Sequence, residues 1–178
     1  AMVCGPPEDA STQIGALISL EHLEKVESYI KLGVEEGGTI LTGGTREMTG
    51  HVTAANHGAF LRPTIIDGLH HTSRTSTEEI FGPVVTVHRF DSDEQAIEMA
   101  NSTEYGLAGS IWSRNIDRAH GLAQQIETGI IWVNTWLHRD LRTPFGGVKN
   151  SGVGREGGNW SLGFFSEPLN VCIKHDQE

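Results

Sequence analysis

The order of secondary structure is clearest in residues 83–134, PVVTVHRFDSDEQAIEMANSTEYGLAGSIWSRNIDRAHGLAQQIETGIIWVN. Three short segments in it are rich in branched and aromatic residues and predict strands, at 84–90, 109–113 and 130–134. The stretches between them have the spacing of amphipathic helices. Strands that alternate with helices are joined by right-handed crossovers and form a parallel sheet. We therefore expect an α/β fold of three layers with a mainly parallel sheet.

The helices carry recognisable start and stop signals. Ser92 and Gln95 form a capping-box pattern before a helix that runs to about Asn101. The next helix should place four apolar residues on one face and end at a glycine: Ile116, Ala119, Ala123, Ile126 and Gly129. These signals predict where the helices begin and end.

An earlier helix is predicted from Leu20 to Glu36. Ser19 can cap it, Glu27 and Lys31 have the spacing of an ion pair, and two glycines follow its end. Its apolar stripe consists of Leu23, Val26, Ile30 and Val34. A short strand at 39–41 and a polar loop at 42–58 should follow.

The last apolar segment, residues 169–174, alternates with a period of two. An exposed edge of this kind is usually paired, often with another subunit. We expect residues 165–178 to provide an oligomerisation strand within one partial domain that spans 1–178.

Composition excludes several classes of protein. The 178 residues carry a net charge of −10, and the scattered Lys and Arg do not favour a nucleic-acid partner. No apolar run is long enough for a membrane helix. Cys4 and Cys172 lie far apart, which favours the reducing cytoplasm, and the histidines have no metal-binding spacing.

Residues 144–158 contain a formal G-x-G-x-x-G pattern at Gly152, Gly154 and Gly157. In a dinucleotide-binding fold these glycines follow a strand and open the helix of a βαβ unit. No strand is predicted directly before them, and the 20 residues after Gly158 leave no room for the crossover. The pattern therefore indicates a loop that needs glycine conformations.

Eight motifs follow one another along the chain: IGALIS, HLEKVESYI, GGT, GAFLRPTII, EEIFGPVV, NSTEYGLAGSIWS, GIIWVN and PFGGVKNSGVGREGG. Their order resembles that of the NAD(P)-dependent aldehyde dehydrogenases, and the resemblance extends from Ile14 to Lys174. Within that family, RDLRTPFGGVK, GREGG and NVCIKH are most similar to the semialdehyde dehydrogenases that act on 2-hydroxymuconic and 2-aminomuconic semialdehyde.

The resemblance implies a cofactor-binding pair in EEIFGPVV. Glu79 matches the acid that accepts hydrogen bonds from the nicotinamide ribose, a task that suits a carboxylate. Phe81 matches the aromatic residue beside the nicotinamide ring, where an apolar face orients the ring. The complete enzyme would use NAD or NADP, and we expect weak or no binding by this chain alone. Glu78 is interpreted as structural.

On the substrate side, the resemblance implies that Trp136, Leu137 and Phe145 line an aldehyde pocket. Arg142 matches an arginine thought to hold the substrate carboxylate, for which a planar fork is well suited. An ordinary ion pair is the alternative for Arg142, and Arg139 competes for the same role.

The nucleophilic cysteine, the base glutamate and the Rossmann domain of the family precede the part that this chain resembles. We therefore expect no catalytic residue in the chain and no aldehyde oxidation by it alone. It would act as the C-terminal part of a dehydrogenase, as a homo-oligomer or with a separate N-terminal polypeptide. A non-catalytic oligomerisation or binding module and an unrelated α/β binding domain are the alternatives.

Overall fold

The computed structural model describes residues 2–47 and 58–175. The chain divides into two compact units, Ala1–Thr103 and Glu104–Glu178. The first unit contains α1 (Leu20–Glu35), β1 (Thr39–Thr42), β2 (Thr64–Asp67), α2 (Arg74–Thr77), β3 (Val84–Val87) and α3 (Asp93–Asn101). The second contains β4 (Tyr105–Gly106), β5 (Ala108–Ile111), α4 (Ile116–Ala123), β6 (Ile130–Val133), β7 (Val148–Lys149) and α5 (Gly158–Phe164).

Strands in the described part of the chain lie in three small sheets, β1-β2-β3, β4-β7 and β5-β6. The pairs β2–β3 and β5–β6 are parallel, while β1–β2 and β4–β7 are antiparallel. The α/β class is confirmed. The three-stranded sheet combines one antiparallel and one parallel pair, while β5–β6 is wholly parallel and β4–β7 wholly antiparallel. The choice of partner strand depends on contacts distant in sequence, which a local pattern of strands and helices does not show.

Helix α1 supplies half of the core cluster of the first unit. Its start at Leu20 is confirmed, since the Ser19 hydroxyl accepts a hydrogen bond from the His22 amide at 3.1 Å. Val34 was predicted to lie on the buried stripe, but it is exposed, and Gly33 is buried instead. The core cluster consists of Leu23, Val26, Ile30, Ala59, Leu61 and Ile80. Burial of each large aliphatic side chain contributes roughly 1.5–3 kcal/mol.

The predicted ion pair between Glu27 and Lys31 is wrong. Glu27 accepts two hydrogen bonds from the Arg46 guanidinium, both at 2.7 Å, and Lys31 lies 3.6 Å from Glu35. An arginine offers a planar fork that fits both carboxylate oxygens, and this geometry is stronger than a contact with a flexible lysine.

The capping box of α3 is confirmed in one half only. The Ser92 hydroxyl accepts a hydrogen bond from the Gln95 amide at 3.2 Å. The Gln95 side chain accepts from the amide of Asp91 at 2.7 Å, one residue earlier than predicted.

The glycine-rich segment is flanked by regular structure that the sequence analysis missed. β7 ends at Lys149 just before the glycines, and α5 begins at Gly158 just after them. β7 pairs antiparallel with β4, so these elements do not form the βαβ unit of a dinucleotide-binding fold.

Residues 169–174 form no strand with the described part of the chain. The apolar side chains of Leu169, Val171 and Ile173 are exposed. Pairing of this segment with another subunit therefore stays a prediction. In the predicted loop 42–58, residues 48–57 lie outside the described residues, while Arg46 and Leu61 form an antiparallel bridge.

Replacing Gly129 by Ala should destabilise the second unit. A Cβ atom at Gly129 would lie 1.6 Å from the carbonyl oxygen of Gly146, so the backbone would have to move, at a cost of about 3 kcal/mol or more. Gly121→Ala is the matched control, because nothing lies within 4 Å of that position on α4. We expect Gly121→Ala to stabilise by up to about 1 kcal/mol. Urea unfolding of both variants measures the difference, and equal midpoints would contradict it.

Candidate functional site

The segment from Glu79 to Phe81 alternates between exposed and buried positions. Ile80 is buried in the core of the first unit, whereas Glu79 is exposed and the Phe81 side chain is 73% exposed. The buried isoleucine anchors the segment, and its two neighbours are accessible to solvent.

The two adjacent glutamates of this segment have different surroundings. Glu78 accepts hydrogen bonds from Arg74 Nε at 2.7 Å and from the Tyr29 hydroxyl at 2.7 Å. The bond from the Arg74 guanidinium, with help from Tyr29, lowers the pKa of Glu78 to about 2. The Glu79 carboxylate has no hydrogen-bond or ion-pair partner among the residues that the structure describes. Glu78 thus stabilises the fold, as interpreted from the sequence, and Glu79 keeps all its acceptor sites available.

Phe81 has an unusual backbone conformation. Its φ angle is 56°, in the left-handed region, which costs a bulky residue about 1–3 kcal/mol. The Phe81 carbonyl lies 2.6 Å from His22 Nε2, and the two rings meet edge to face with centroids 6.1 Å apart. Strained conformations of this kind often occur at functional sites, so the geometry fits a binding role for Phe81.

In the second unit, the loop after β6 begins with a side-chain clamp. Asn134 has a φ angle of 55°, and its side chain bonds both the amide and the carbonyl of Ser113, each at 2.8 Å. Ser113 follows β5, so the clamp joins the carboxyl ends of two parallel strands. This is the edge of a parallel sheet at which ligands usually bind.

Trp132 holds this loop and was not predicted as a functional residue. Its ring is buried, and its indole N–H donates to the carbonyl of His138 at 2.7 Å. The ring also meets Trp136 edge to face at 4.9 Å. The sequence did contain a signal for this role. Trp132 lies inside a predicted strand, and the N–H group of a buried indole needs an acceptor nearby. The predicted pocket residues Trp136 and Leu137 remain 56% and 67% exposed.

Arg142 is bound on one edge of its guanidinium. Its Nε and Nη2 atoms donate to the Asp140 carboxylate at distances of 2.6–3.1 Å. Nη1 and the second N–H of Nη2 have no partner among the residues that the structure describes. Asp140 therefore orients Arg142 and leaves the end of the fork available for a second carboxylate.

Arg139, the competing arginine, is engaged elsewhere. Its guanidinium pairs with Glu156 and lies over the ring of Phe145, 4.1 Å from the ring centroid. Phe145 and Glu156 also exchange two backbone hydrogen bonds at 2.8 Å. Both arginines are therefore ion-paired, but the Arg139 side chain is 36% exposed and the Arg142 side chain is 88% exposed, so Arg142 is the more accessible candidate for substrate binding.

Cys4 is half-buried, and burial together with the nearby Glu47 carboxylate raises the pKa of its thiol. A smaller thiolate fraction disfavours Cys4 as a nucleophile. Cys172 is exposed on the C-terminal segment, where the Asn170 side chain lies 3.5 Å from its sulfur.

Within residues 2–47 and 58–175, no helix has the length and apolar character needed to cross a membrane. The same residues contain no cluster of three or more His, Cys, Asp or Glu side chains suited to a metal ion.

Glu79 and Phe81 belong to the first unit, and the four predicted substrate residues belong to the second. Within the second unit the structure brings Phe145 together with Arg139, and it ties Trp136 to Trp132. The proposed roles of all six residues stay predictions.

The fold and these motifs agree with a comparison against protein families. Residues 1–171 match the family model described as the aldehyde dehydrogenase family. The chain belongs to the aldehyde dehydrogenase family.

Curated relatives are dehydrogenases of related semialdehydes. The 2-hydroxymuconic semialdehyde dehydrogenase of Pseudomonas sp. (strain CF600) is 50% identical over 98% of this chain. The 2-aminomuconic semialdehyde dehydrogenase of Homo sapiens is 46% identical over 96%. The chain spans only about a third of each relative, 35% of its length.

Solved structures confirm the α/β fold. Betaine aldehyde dehydrogenase from Staphylococcus aureus, in complex with NAD⁺, is 38% identical with a TM-score of 0.87, over 92% of this chain and 32% of that one. HpcC from Thermus thermophilus is 38% identical with a TM-score of 0.88, over 99% of this chain and 36% of that one.

Leu137 offers a test of the strained loop. Its φ angle is 56°, so Leu137→Gly should relieve a backbone cost of about 1–2 kcal/mol. Leu141 is the matched control, because it is similarly exposed and has no positive φ angle. Leu141→Gly should therefore only lower the stability, since glycine loses more backbone freedom on folding. We expect Leu137→Gly to be the more stable variant by about 1–2 kcal/mol in thermal unfolding. The reverse order would contradict the left-handed geometry.

Glu78 should make the fold sensitive to acid. Its pKa is lowered from an ordinary 4.5 to about 2, so its stabilising effect is complete above pH 4.5 and is lost as the pH falls toward 2. Glu78→Gln should therefore lower the urea midpoint at neutral pH, and the difference from the parent should shrink in acid. Glu98→Gln, on the exposed face of α3, is the control. A difference that is constant with pH would refute this assignment.

Proposed function

We propose that the chain forms the C-terminal part of an NAD-dependent enzyme that oxidises a carboxylate-bearing semialdehyde to the acid. Membership of the family supports aldehyde oxidation. The names of the relatives support semialdehydes as the substrate class. The free edge of the Arg142 guanidinium is the single observation in this chain that carries the substrate class.

Arg142 would bind the carboxylate at the end of the substrate remote from the aldehyde. Asp140 holds the Nε edge at 2.9 Å, which fixes the plane of the guanidinium before a substrate arrives. The end of the fork, formed by Nη1 and Nη2, then offers two parallel N–H groups, the geometry that a carboxylate accepts most strongly. Trp136 and Leu137 supply exposed apolar surface for the carbon chain.

Glu79 and Phe81 would bind the cofactor. A carboxylate without a partner among the described residues can accept hydrogen bonds from both ribose hydroxyls, and an exposed phenyl ring can pack on the nicotinamide. The Staphylococcus aureus relative is seen with NAD⁺, which supports NAD rather than NADP. When bound, the cofactor accepts the hydride of the substrate.

The oxidation also needs a thiolate nucleophile and a base that activates water. Cys4 has a raised pKa, and Cys172 lies on the exposed C-terminal segment. We therefore propose that the 178 residues alone oxidise no aldehyde and that the nucleophile is supplied by other sequence. That sequence belongs to the same polypeptide or to a separate one.

We further propose that the enzyme works in the cytoplasm as a homo-oligomer. The two cysteines are free thiols, which fits a reducing compartment. The exposed apolar residues of segment 169–174 support pairing with another subunit. Light scattering at micromolar concentration tests the oligomer, and a strictly monomeric species would count against it.

A chimera tests the activity. The chain replaces the 175 matched residues of the Pseudomonas 2-hydroxymuconic semialdehyde dehydrogenase, and NADH formation is measured with that semialdehyde. The parent Pseudomonas enzyme is the positive control. We expect turnover by the chimera and none by the 178-residue chain alone.

Two substitutions in the chimera separate the proposed roles. Arg142→Ala should raise the KM for the semialdehyde about 10–100-fold, because a charged hydrogen-bonded pair is lost. Glu79→Gln should raise the KM for NAD about tenfold for the same reason. Arg114→Ala and Glu98→Gln are matched controls, because both residues are exposed and lie outside the candidate site.

Two results would overturn the proposal. The first is a folded chimera that binds NAD and oxidises no aldehyde. The second is an Arg142→Ala variant that loses activity equally on an uncharged aldehyde of similar length. Self-association of the chain together with an inactive chimera would favour the non-catalytic module.

A further inference from the structure

We propose that His22 and Lys25 of α1 are positioning residues that hold the segment from Glu79 to Phe81 in the conformation that binds the nicotinamide. The inference rests on the proposed function of Glu79 and Phe81. It assigns a role in cofactor binding to two residues that lie far from the segment in sequence. His22 precedes Phe81 by 59 positions, and Lys25 precedes Glu79 by 54.

His22 contacts Phe81 in two ways. Its Nε2 atom lies 2.6 Å from the Phe81 carbonyl, and a carbonyl can only accept, so Nε2 carries the proton. Its ring also packs edge to face against the phenyl ring, with centroids 6.1 Å apart. Because the Ser19 cap bonds the His22 amide, the imidazole stands on a fixed first turn of the helix.

Lys25 holds the other end of the segment. It lies three residues after His22, so both side chains project from the same face of α1. Its Nζ atom donates to the carbonyl of Glu79 at 3.2 Å. Helix α1 therefore binds the two carbonyls on either side of Ile80.

Helix α1 also fixes the segment by packing. Ile80 is buried in a cluster that includes Leu23 and Val26. Gly82 approaches α1 so closely that a Cβ atom there would lie 2.7 Å from a methyl group of Val26. Two hydrogen bonds and two apolar contacts thus restrain four consecutive residues.

Phe81 needs these restraints because its φ angle of 56° is disfavoured for a phenylalanine. A strained residue keeps such a conformation only when its surroundings over-determine it. Loss of the His22 hydrogen bond should release Phe81 toward ordinary backbone angles and turn its ring away from the cofactor. The effect should fall on NAD binding and not on the binding of the aldehyde.

The first test uses the 178-residue chain and needs no activity. His22→Phe keeps an aromatic ring without the donor, and His22→Gln restores a donor without the ring. Amide exchange is followed by NMR at Val84, which donates to the Gly82 carbonyl, and at Thr64, which donates to the Pro83 carbonyl. We expect exchange at both amides to rise about tenfold in His22→Phe and to stay within about twofold of the parent in His22→Gln. His120→Phe, exposed on α4, is the control.

The second test uses the chimera. His22→Phe should raise the KM for NAD about tenfold and leave the KM for the semialdehyde unchanged, and His22→Gln should restore the parent value within about twofold. A general loss of stability would instead lower the active fraction without changing either KM. If His22→Phe does not fold, the same two tests are made with Lys25→Met, which removes the hydrogen bond to the Glu79 carbonyl.

The outcomes are distinguishable. Unchanged exchange and an unchanged KM for NAD in His22→Phe would overturn the inference. An unsubstituted chimera without activity would refute the proposed function, and the exchange data would then decide the positioning role by themselves. Failure of His22→Gln to restore either property would also overturn the role of the hydrogen bond.

Discussion

The burial of Ile80 in the hydrophobic cluster that includes Leu23 and Val26 of α1 is the constraint on which the first candidate site depends. Burial of a large aliphatic side chain is worth roughly 1.5–3 kcal/mol, which is enough to offset the strain of one left-handed residue beside it. With Ile80 fixed in the core, its neighbours Glu79 and Phe81 are exposed to solvent. The hydrophobic core thereby sets the position of two residues that do not belong to it.

In the second unit, the corresponding constraint is close approach between backbone segments. The backbone at Gly129 lies so close to the carbonyl of Gly146 that a Cβ atom would not fit between them. Gly157 has a φ angle of 102° and lies against the carbonyl of Thr143. These contacts bring the glycine-rich segment against the loop that bears Arg142. Only glycine permits such approach, so the pattern that resembles a dinucleotide motif serves packing here.

Electrostatic partners decide which charged residues remain available for binding. Glu78 and Glu79 are adjacent and chemically identical, yet Arg74 and Tyr29 bind only Glu78. In the second unit, Arg139 pairs with Glu156 and Arg142 pairs with Asp140, but the Arg142 side chain is 88% exposed and the Arg139 side chain only 36%. Residue type alone does not separate these cases, because the difference depends on which partner each side chain meets and on how exposed it is.

Helices α1, α3 and α4, strands β1, β3, β5 and β6, the α/β class and the Ser19 cap could be read from the chain, because they depend on local periodicity and capping. The candidate residues were inferred from motifs that resemble those of the family. The pairing of the strands, the partner of Glu27 and the contacts of Trp132 and His22 could not be read in this way. Nor could the left-handed backbone of Phe81 and Leu137, since no local pattern marks a phenylalanine or leucine for that conformation. The strand pairing, the bonds between Glu27 and Arg46 and the contact between His22 and Phe81 join residues far apart in the chain, and such contacts exist only once the core has formed.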